Sequence, residues 1–209
     1  MAIERTLHQK RVEATREHIL GAAFELLINR PDQPFSHEAV AHSAGIGART
    51  VYRYFPSQAD FYEALWLKVR EQSGTIFPTD EAEIIPHIGE LYRAFDRNEK
   101  LIRAVMESAA GARVRAGGAE EGRLSFEKSL QKLLQGRSAS ERRQIRAVFQ
   151  GIHSGPFWQM LHDRGGLSNG EAIGAANWAA RSLLDTLRRE QRYRSSSPNK
   201  SEGKRGQLK

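Results

Sequence analysis

Arg49, Tyr52 and Arg53 fall within five residues of one another, and those types at that spacing suit the reading of DNA. On a helical wheel at about 100° per residue, Ala48, Arg49, Tyr52 and Arg53 share an arc of about 140°. Gly47, Thr50, Val51 and Tyr54 lie on the other side. One face therefore carries two guanidiniums and a phenol, and the opposite face carries the apolar anchor Val51. Arginine reads guanine through O6 and N7. Tyr52 can meet a thymine methyl or a phosphate, and Ala48 is short enough to let a helix N-terminus approach the backbone, where free N–H groups favour phosphate.

Such a helix needs a mount. Ile19, Leu20, Ala23, Phe24 and Leu27 form an apolar stripe at helical spacing, stopped at Asn29, Arg30 and Pro31. Phe35 leads into Ser36, an N-cap for a short segment carrying Ala39, Val40 and Ala41. Ala44-Gly45-Ile46 interrupts it, and a second short segment runs from Gly47 to Phe55. Ser57 and Asp60 have capping-box spacing for the next helix, whose Phe61, Tyr62, Leu65, Trp66 and Val69 suit packing. Two short helices joined at a Gly turn and preceded by a third make a helix-turn-helix.

Beyond Gly74 and Pro78 the periodicity stays helical, and no period-2 strand stands out. One stripe runs from Ile84 to Phe95, with Pro86 in or near its first turn; another runs from Leu101 to Ala109 and fades near Gly117-Gly118. Leu124, Leu130, Leu133 and Leu134 follow. Ser138 with Glu141 and Ser168 with Glu171 have capping-box spacing, and Gly155-Pro156 separates a short helix with Phe157, Trp158 and Leu161. The fold expected is all-α, with about nine or ten helices.

The stretch Phe35–Phe61 resembles the TetR family of regulators, through Ala39-Val40-Ala41, Ala44-Gly45-Ile46, Thr50-Val51-Tyr52-Arg53-Tyr54-Phe55 and Pro56-Ser57. The resemblance implies a DNA surface of Ser36, His37, Gly47, Ala48, Arg49, Thr50, Tyr52, Arg53 and Tyr54, with Tyr54 in a flanking-phosphate role. It implies residues 1–11 as a flexible basic arm, 12–72 as the DNA-binding domain with its helix-turn-helix at about 36–55, and 73–194 as an effector-binding and dimerisation domain; the Ser-, Gly- and Lys/Arg-rich composition of 195–209 reads as a disordered basic tail. It also implies a homodimer on a palindromic operator of double-stranded DNA and a small-molecule effector, with repression as the default. Three positions depart from the family pattern: Gly47 replaces a capping Ser, Arg49 a common Gly, and Gln58 a phosphate-binding Lys. One fewer phosphate contact flattens the salt dependence of binding by about 0.9 in slope.

For the body, Tyr92, Phe95, Met106, Phe126, Phe149, His153, Asn177 and Trp178 are the candidate ligand contacts, with His153 and Asn177 the polar pair to orient a ligand. Small residues at Gly151, Gly155, Gly174, Ala175, Ala176, Ala179 and Ala180 permit close helix approach, as in a symmetric four-helix interface.

The net charge of +7 adds little to the DNA argument, because residues 188–209 carry +6 of it and residues 1–56 only +1. The absence of cysteine excludes disulfides and thiolate metal sites. No apolar run suits a membrane span or signal peptide; together with what the resemblance implies, a bacterial cytoplasmic, nucleoid-associated protein is expected, without cofactor or metal. An enzyme is disfavoured. His37 and His42 are five apart and diverge by about 140° on a helix, so they do not form a zinc pair. Gly151-Ile152-His153-Ser154-Gly155 has His where a nucleophile elbow needs Ser, and Gly45-Ile46-Gly47 lacks the third Gly of a dinucleotide loop. The alternative is a DNA-bound adaptor whose body binds a protein.

Overall fold

The computed structural model describes residues 6–30 and 35–196. They form eleven α-helices and one 3₁₀ turn, Glu81–Glu83, with no strand among the described residues. The helices are α1 Leu7–Asn29, α2 His37–Ala44, α3 Ala48–Tyr54, α4 Gln58–Ser73, α5 Ile84–Arg97 and α6 Glu99–Glu107. They continue as α7 Ala109–Ala116, α8 Ala119–Ser129, α9 Ala139–Ile152, α10 Gly155–Asp163 and α11 Asn169–Ser196.

The expected punctuation is in place. Ser36 caps α2 by accepting from the Ala39 N–H, and Ser57 with Asp60 closes a capping box on α4. Ser138 with Glu141 does the same on α9, and Ser168 exchanges hydrogen bonds with Glu171 at the start of α11. Each such cap contributes about 1 kcal/mol. Gly45 ends α2 at φ 66°, a left-handed conformation that favours glycine, and its N–H closes on the Ala41 and His42 carbonyls.

Three boundaries differ from expectation. α1 begins at Leu7, inside the stretch expected as an arm, because Thr6 and Gln9 form a reciprocal capping box. α11 runs through Ser196, two residues into the expected tail; residues 1–5, Pro31 and the rest of that tail lie outside the described residues. The stripe from Leu101 breaks into two helices at Ser108, whose extended backbone (φ −91°, ψ 152°) caps α7 by accepting from the Gly111 N–H.

Two cores share the buried side chains. The first joins Ile19, Phe24, Leu27, Val40, Val51 and Phe55 of the head to Phe61, Leu65, Trp66 and Val69 of α4. It continues into Leu101 and Val105 of α6 and Ala110 and Val114 of α7. A boundary at 72/73 would therefore cut through a packed core. The second gathers α5, α8, α9, α10 and α11 around Tyr92, Phe126, Phe149 and Trp158. Phe77 and Met106 pack against both.

The α6–α7 corner is tight: a Cβ on Gly111 would lie 2.2 Å from the Val105 carbonyl oxygen. Gly111→Ala should therefore destabilise the protein by about 1–3 kcal/mol through overpacking. Gly21→Ala, in the middle of α1 with nothing within 4 Å of the added carbon, should stabilise it by about 0.5–1 kcal/mol. Thermal or urea melts of the two variants check both signs.

Candidate nucleic-acid interface

α3 presents the expected face. Arg49, Tyr52 and Arg53 are exposed, while Val51 and the following Phe55 are buried in the head core. Neither Arg49 nor Arg53 has a carboxylate partner among the described residues; Arg53 lies 5.4 Å from the Tyr54 ring centre. Gly47 gives α3 no side-chain cap, so the first N–H groups of the helix stay available to an oxyanion. Thr50 and Ala48 are half-buried, and Ala48 and Tyr54 pack partly against the core.

Two contacts clamp α3 onto α2. His37 Nε2 donates to the Phe55 carbonyl at 2.9 Å, and its ring stacks on Tyr52 with centroids 4.2 Å apart and planes 5° from parallel. Tyr52 Oη donates to Glu38 Oε1 at 2.9 Å. Hydrogen bonds at Glu38 favour its ionised form, first from its own backbone and then from Tyr52 and Ser36, and hold its carboxyl below the usual range. The same bond raises the Tyr52 phenol. His37 is only 3 % exposed, which corrects its expected place at the DNA surface. A polar ring at that position is buried because the Phe55 carbonyl gives it a partner.

A cavity of about 180 Å³ lies where the two cores meet. One wall is α4, through Trp66, Val69 and Ser73; another is the α6–α7 corner, through Val105, Met106 and Arg115. Gly118 and Gly122 of the α8 entry, Gln150 of α9 and Ser154-Gly155-Pro156 at the start of α10 complete it, with Phe77 and Phe126. Trp66 packs so closely on Gly118 that a Cβ there would sit 2.1 Å from the indole.

Residues 19–65 match the family model of bacterial regulatory proteins, tetR family. The architecture is similar to a tetR-family transcriptional regulator from Streptomyces coelicolor, at TM-score 0.58 and 17% identity over 88% of this chain and 86% of that one. It is also similar to a TetR-family regulator from Syntrophomonas wolfei, at TM-score 0.56 and 17% identity over 82% and 95%. The chain has the TetR-regulator fold. No curated protein matches it in sequence.

In this TetR-type body, four of the eight expected ligand contacts, Phe95, Met106, Phe126 and His153, line the cavity. Tyr92 and Phe149 are buried elsewhere in the second core, and the Tyr92 hydroxyl is committed to the Ile152 carbonyl at 2.8 Å. Burial raises that phenol well above its ordinary value. Asn177 and Trp178 do not reach the cavity; Trp178 is 73% exposed on the outer side of α11. Ala172, Ala176 and Ala180 take the inner side, and a residue two positions on is rotated by about 200°. That wheel could have placed Trp178 correctly. His153 lines the cavity, but its nitrogens face the Phe149 and Ile84 carbonyls at 3.0 and 2.9 Å. Its polar atoms therefore tie α9 to α5 and are not free to orient a ligand. Burial lowers its affinity for a proton, against the opposing pull of those carbonyls. Sequence reasoning missed Trp66 as a cavity wall, and Arg115 and Gln150 altogether.

The Glu38–Tyr52 pair yields a pH test. A carboxyl whose folded value is depressed stabilises the fold above its unfolded value, and that contribution fades as pH falls through the folded one. An NMR titration should find Glu38 below the ordinary glutamate range. In Tyr52→Phe it should move up, yet stay depressed, because the backbone and Ser36 contributions remain.

Proposed function

We propose that this protein is a sequence-specific transcriptional regulator: a homodimer that binds a palindromic operator, represses from it, and leaves it when a small molecule enters the body. The observation that carries the reading is the continuity from α3 to the cavity. The exposed face of Arg49, Tyr52 and Arg53 is anchored by Val51 and Phe55, and α4 follows after three residues, Phe55, Pro56 and Ser57. Trp66, Val69 and Ser73 of the same α4 form a cavity wall.

A ligand that binds more tightly when α4 is displaced shifts the population toward that state, and the heads move with it. In the other state the two α3 helices occupy successive major grooves of one face of the duplex. Arg49 and Arg53 read base edges, Tyr52 and Tyr54 meet the backbone, and the uncapped start of α3, with Ser36 and Thr50 nearby, meets phosphate. A DNA target of this kind puts the protein on the bacterial nucleoid in the cytoplasm, and no described helix is long and apolar enough to cross a membrane.

The homodimer is assigned to the outer faces of α9 and α11, which carry Val148 at 49% and Trp178 at 73% exposure. An exposed tryptophan is the residue type most enriched among interface anchors. Gly174, one turn before Trp178, has open space at its Cβ, so a partner helix can approach closely there. The rest of the small-residue set divides: Gly155, Ala176 and Ala180 pack inside the protomer. The cavity favours a sensor over an adaptor whose body grips a protein.

Selection from a pool of random duplexes at moderate salt should return a palindrome. Arg49→Ala and Arg53→Ala should each weaken binding to it by about 1–3 kcal/mol, roughly 5- to 150-fold, and relax preference at one base position. Sequence-blind retention of the pool would sink the reading. Trp178→Arg should raise the dimer dissociation constant about 30-fold or more, the scale of an interface anchor, with helicity unchanged. Sedimentation that shows an intact dimer would move the interface elsewhere.

A further inference from the structure

Of the residues that line the cavity, only Arg115 carries a formal charge, and no Asp or Glu is among them. That arginine stands in the last turn of α7, half-buried. One Nη donates to the Val105 carbonyl, and its other N–H groups have no partner among the described residues. The other arginines at this level of burial are paired. Arg70 meets Glu121 at 2.7 Å, Arg103 meets Asp163 at 2.8 Å and Arg137 meets Glu190 at 2.8 Å. A desolvated guanidinium without a counter-ion is costly unless something supplies the missing charge.

Two helix starts reinforce the local field. α8 begins at the cavity with Gly118 and no side-chain cap, and α10 begins there with Ser154 and Gly155. The N-terminal ends of their dipoles add positive potential at the cavity, while the C-terminal ends of α6 and α7 partly offset the charge of Arg115. The remaining walls, Trp66, Val69, Phe77, Phe95, Ile102 and Phe126, are apolar.

We infer that the cavity takes a small organic monocarboxylate, with its carboxylate on Arg115 and its apolar body against Trp66 and the phenylalanines. This deepens the sensor reading and rests on it. The volume suits a small ligand: an apolar cavity of about 150 Å³ accepts benzene, so 180 Å³ holds about one ring and its carboxylate. A phosphate ester carries nearly two charges and three acceptor oxygens, more than one arginine and a mostly apolar wall can satisfy. Burial already lowers the proton affinity of Arg115, and a bound anion reverses that effect. Because Trp66 belongs to α4 and lines the cavity, the ring of the ligand presses on the helix that carries the head.

The test is calorimetry on the full chain with benzoate, benzamide and benzylamine, alongside Arg115→Gln and Arg115→Lys. Benzoate should bind at least about tenfold more tightly than the isosteric amide, a difference of ~1.4 kcal/mol, and the amine should not bind. Arg115→Gln should bring acid and amide within about twofold of each other, and Arg115→Lys should restore part of the preference. Equal binding of acid and amide by the unaltered protein overturns the inference. So does a preference that survives in Arg115→Gln, or no binding of any probe at about 10 mM. Operator release is measured in parallel on the selected palindrome. If the amide binds and releases DNA, the carboxylate is wrong and the sensor stands. If benzoate binds through Arg115 and the DNA complex is unmoved, the site stands and the sensor reading falls.

Discussion

The packing of α4 against both halves of the molecule is the constraint on which the rest depends. Phe61 and Leu65 complete the core beneath α2 and α3, while Trp66 and Val69 face α6, α7 and the α8 entry. Trp66 fits only because position 118 is glycine; its ring occupies the space a Cβ would need. A tryptophan held this closely stabilises the fold by about 3–5 kcal/mol relative to alanine, and it leaves α4 little freedom to move alone. α1 is locked in likewise, through Ile19, Phe24 and Leu27 in the same core as Leu101 and Val105. A helix bundle that shares its core in this way transmits displacement as rigid bodies, since packed interiors deform little and switch between discrete arrangements.

Electrostatics divide the molecule by task. On the exposed face of α3 the cations Arg49 and Arg53 have no carboxylate partner among the described residues, and Glu38 is occupied by Tyr52. The body carries ion pairs such as Arg103–Asp163 and Arg188–Glu81. These exposed pairs contribute little stability individually; they link α6 to the end of α10 and α11 to the 3₁₀ turn. Arg113 reaches from α7 to Gln58 Oε1 at 3.2 Å and lies 5.7 Å from the Tyr62 ring centre. The position that lacks a lysine is thus tied to a cation from the body.

What the sequence made legible is what depends on neighbours along the chain. Caps at Ser36, Ser57, Ser138 and Ser168 follow from side-chain reach over three residues, and the exposed face of α3 follows from helical rotation alone. The break at Ser108 was not legible, because small residues continue a helical pattern across it. What sets the corner is the approach of Gly111 to the Val105 backbone. Arg115 sits in a stretch of weak apolar periodicity and Gln150 is a polar residue beside the apolar stripe of α9, and only the meeting of α4, α7, α8 and α9 gives them a common cavity. His153 was expected to orient a ligand, but its partners are backbone carbonyls that sequence does not place.

The central claim is that head and body share one core through α1, α4, α6 and α7. Native-state hydrogen exchange measures it without any ligand. Amides of Phe24 in α1, Leu65 in α4 and Val105 in α6 should open with the same free energy and the same denaturant dependence, as members of one cooperative unit. Exchange of α1 through a lower-energy opening of the head alone, with α6 and α7 still protected, would contradict it. The head would then be an independent domain on a hinge, and a ligand in the cavity would have no packed route to α3.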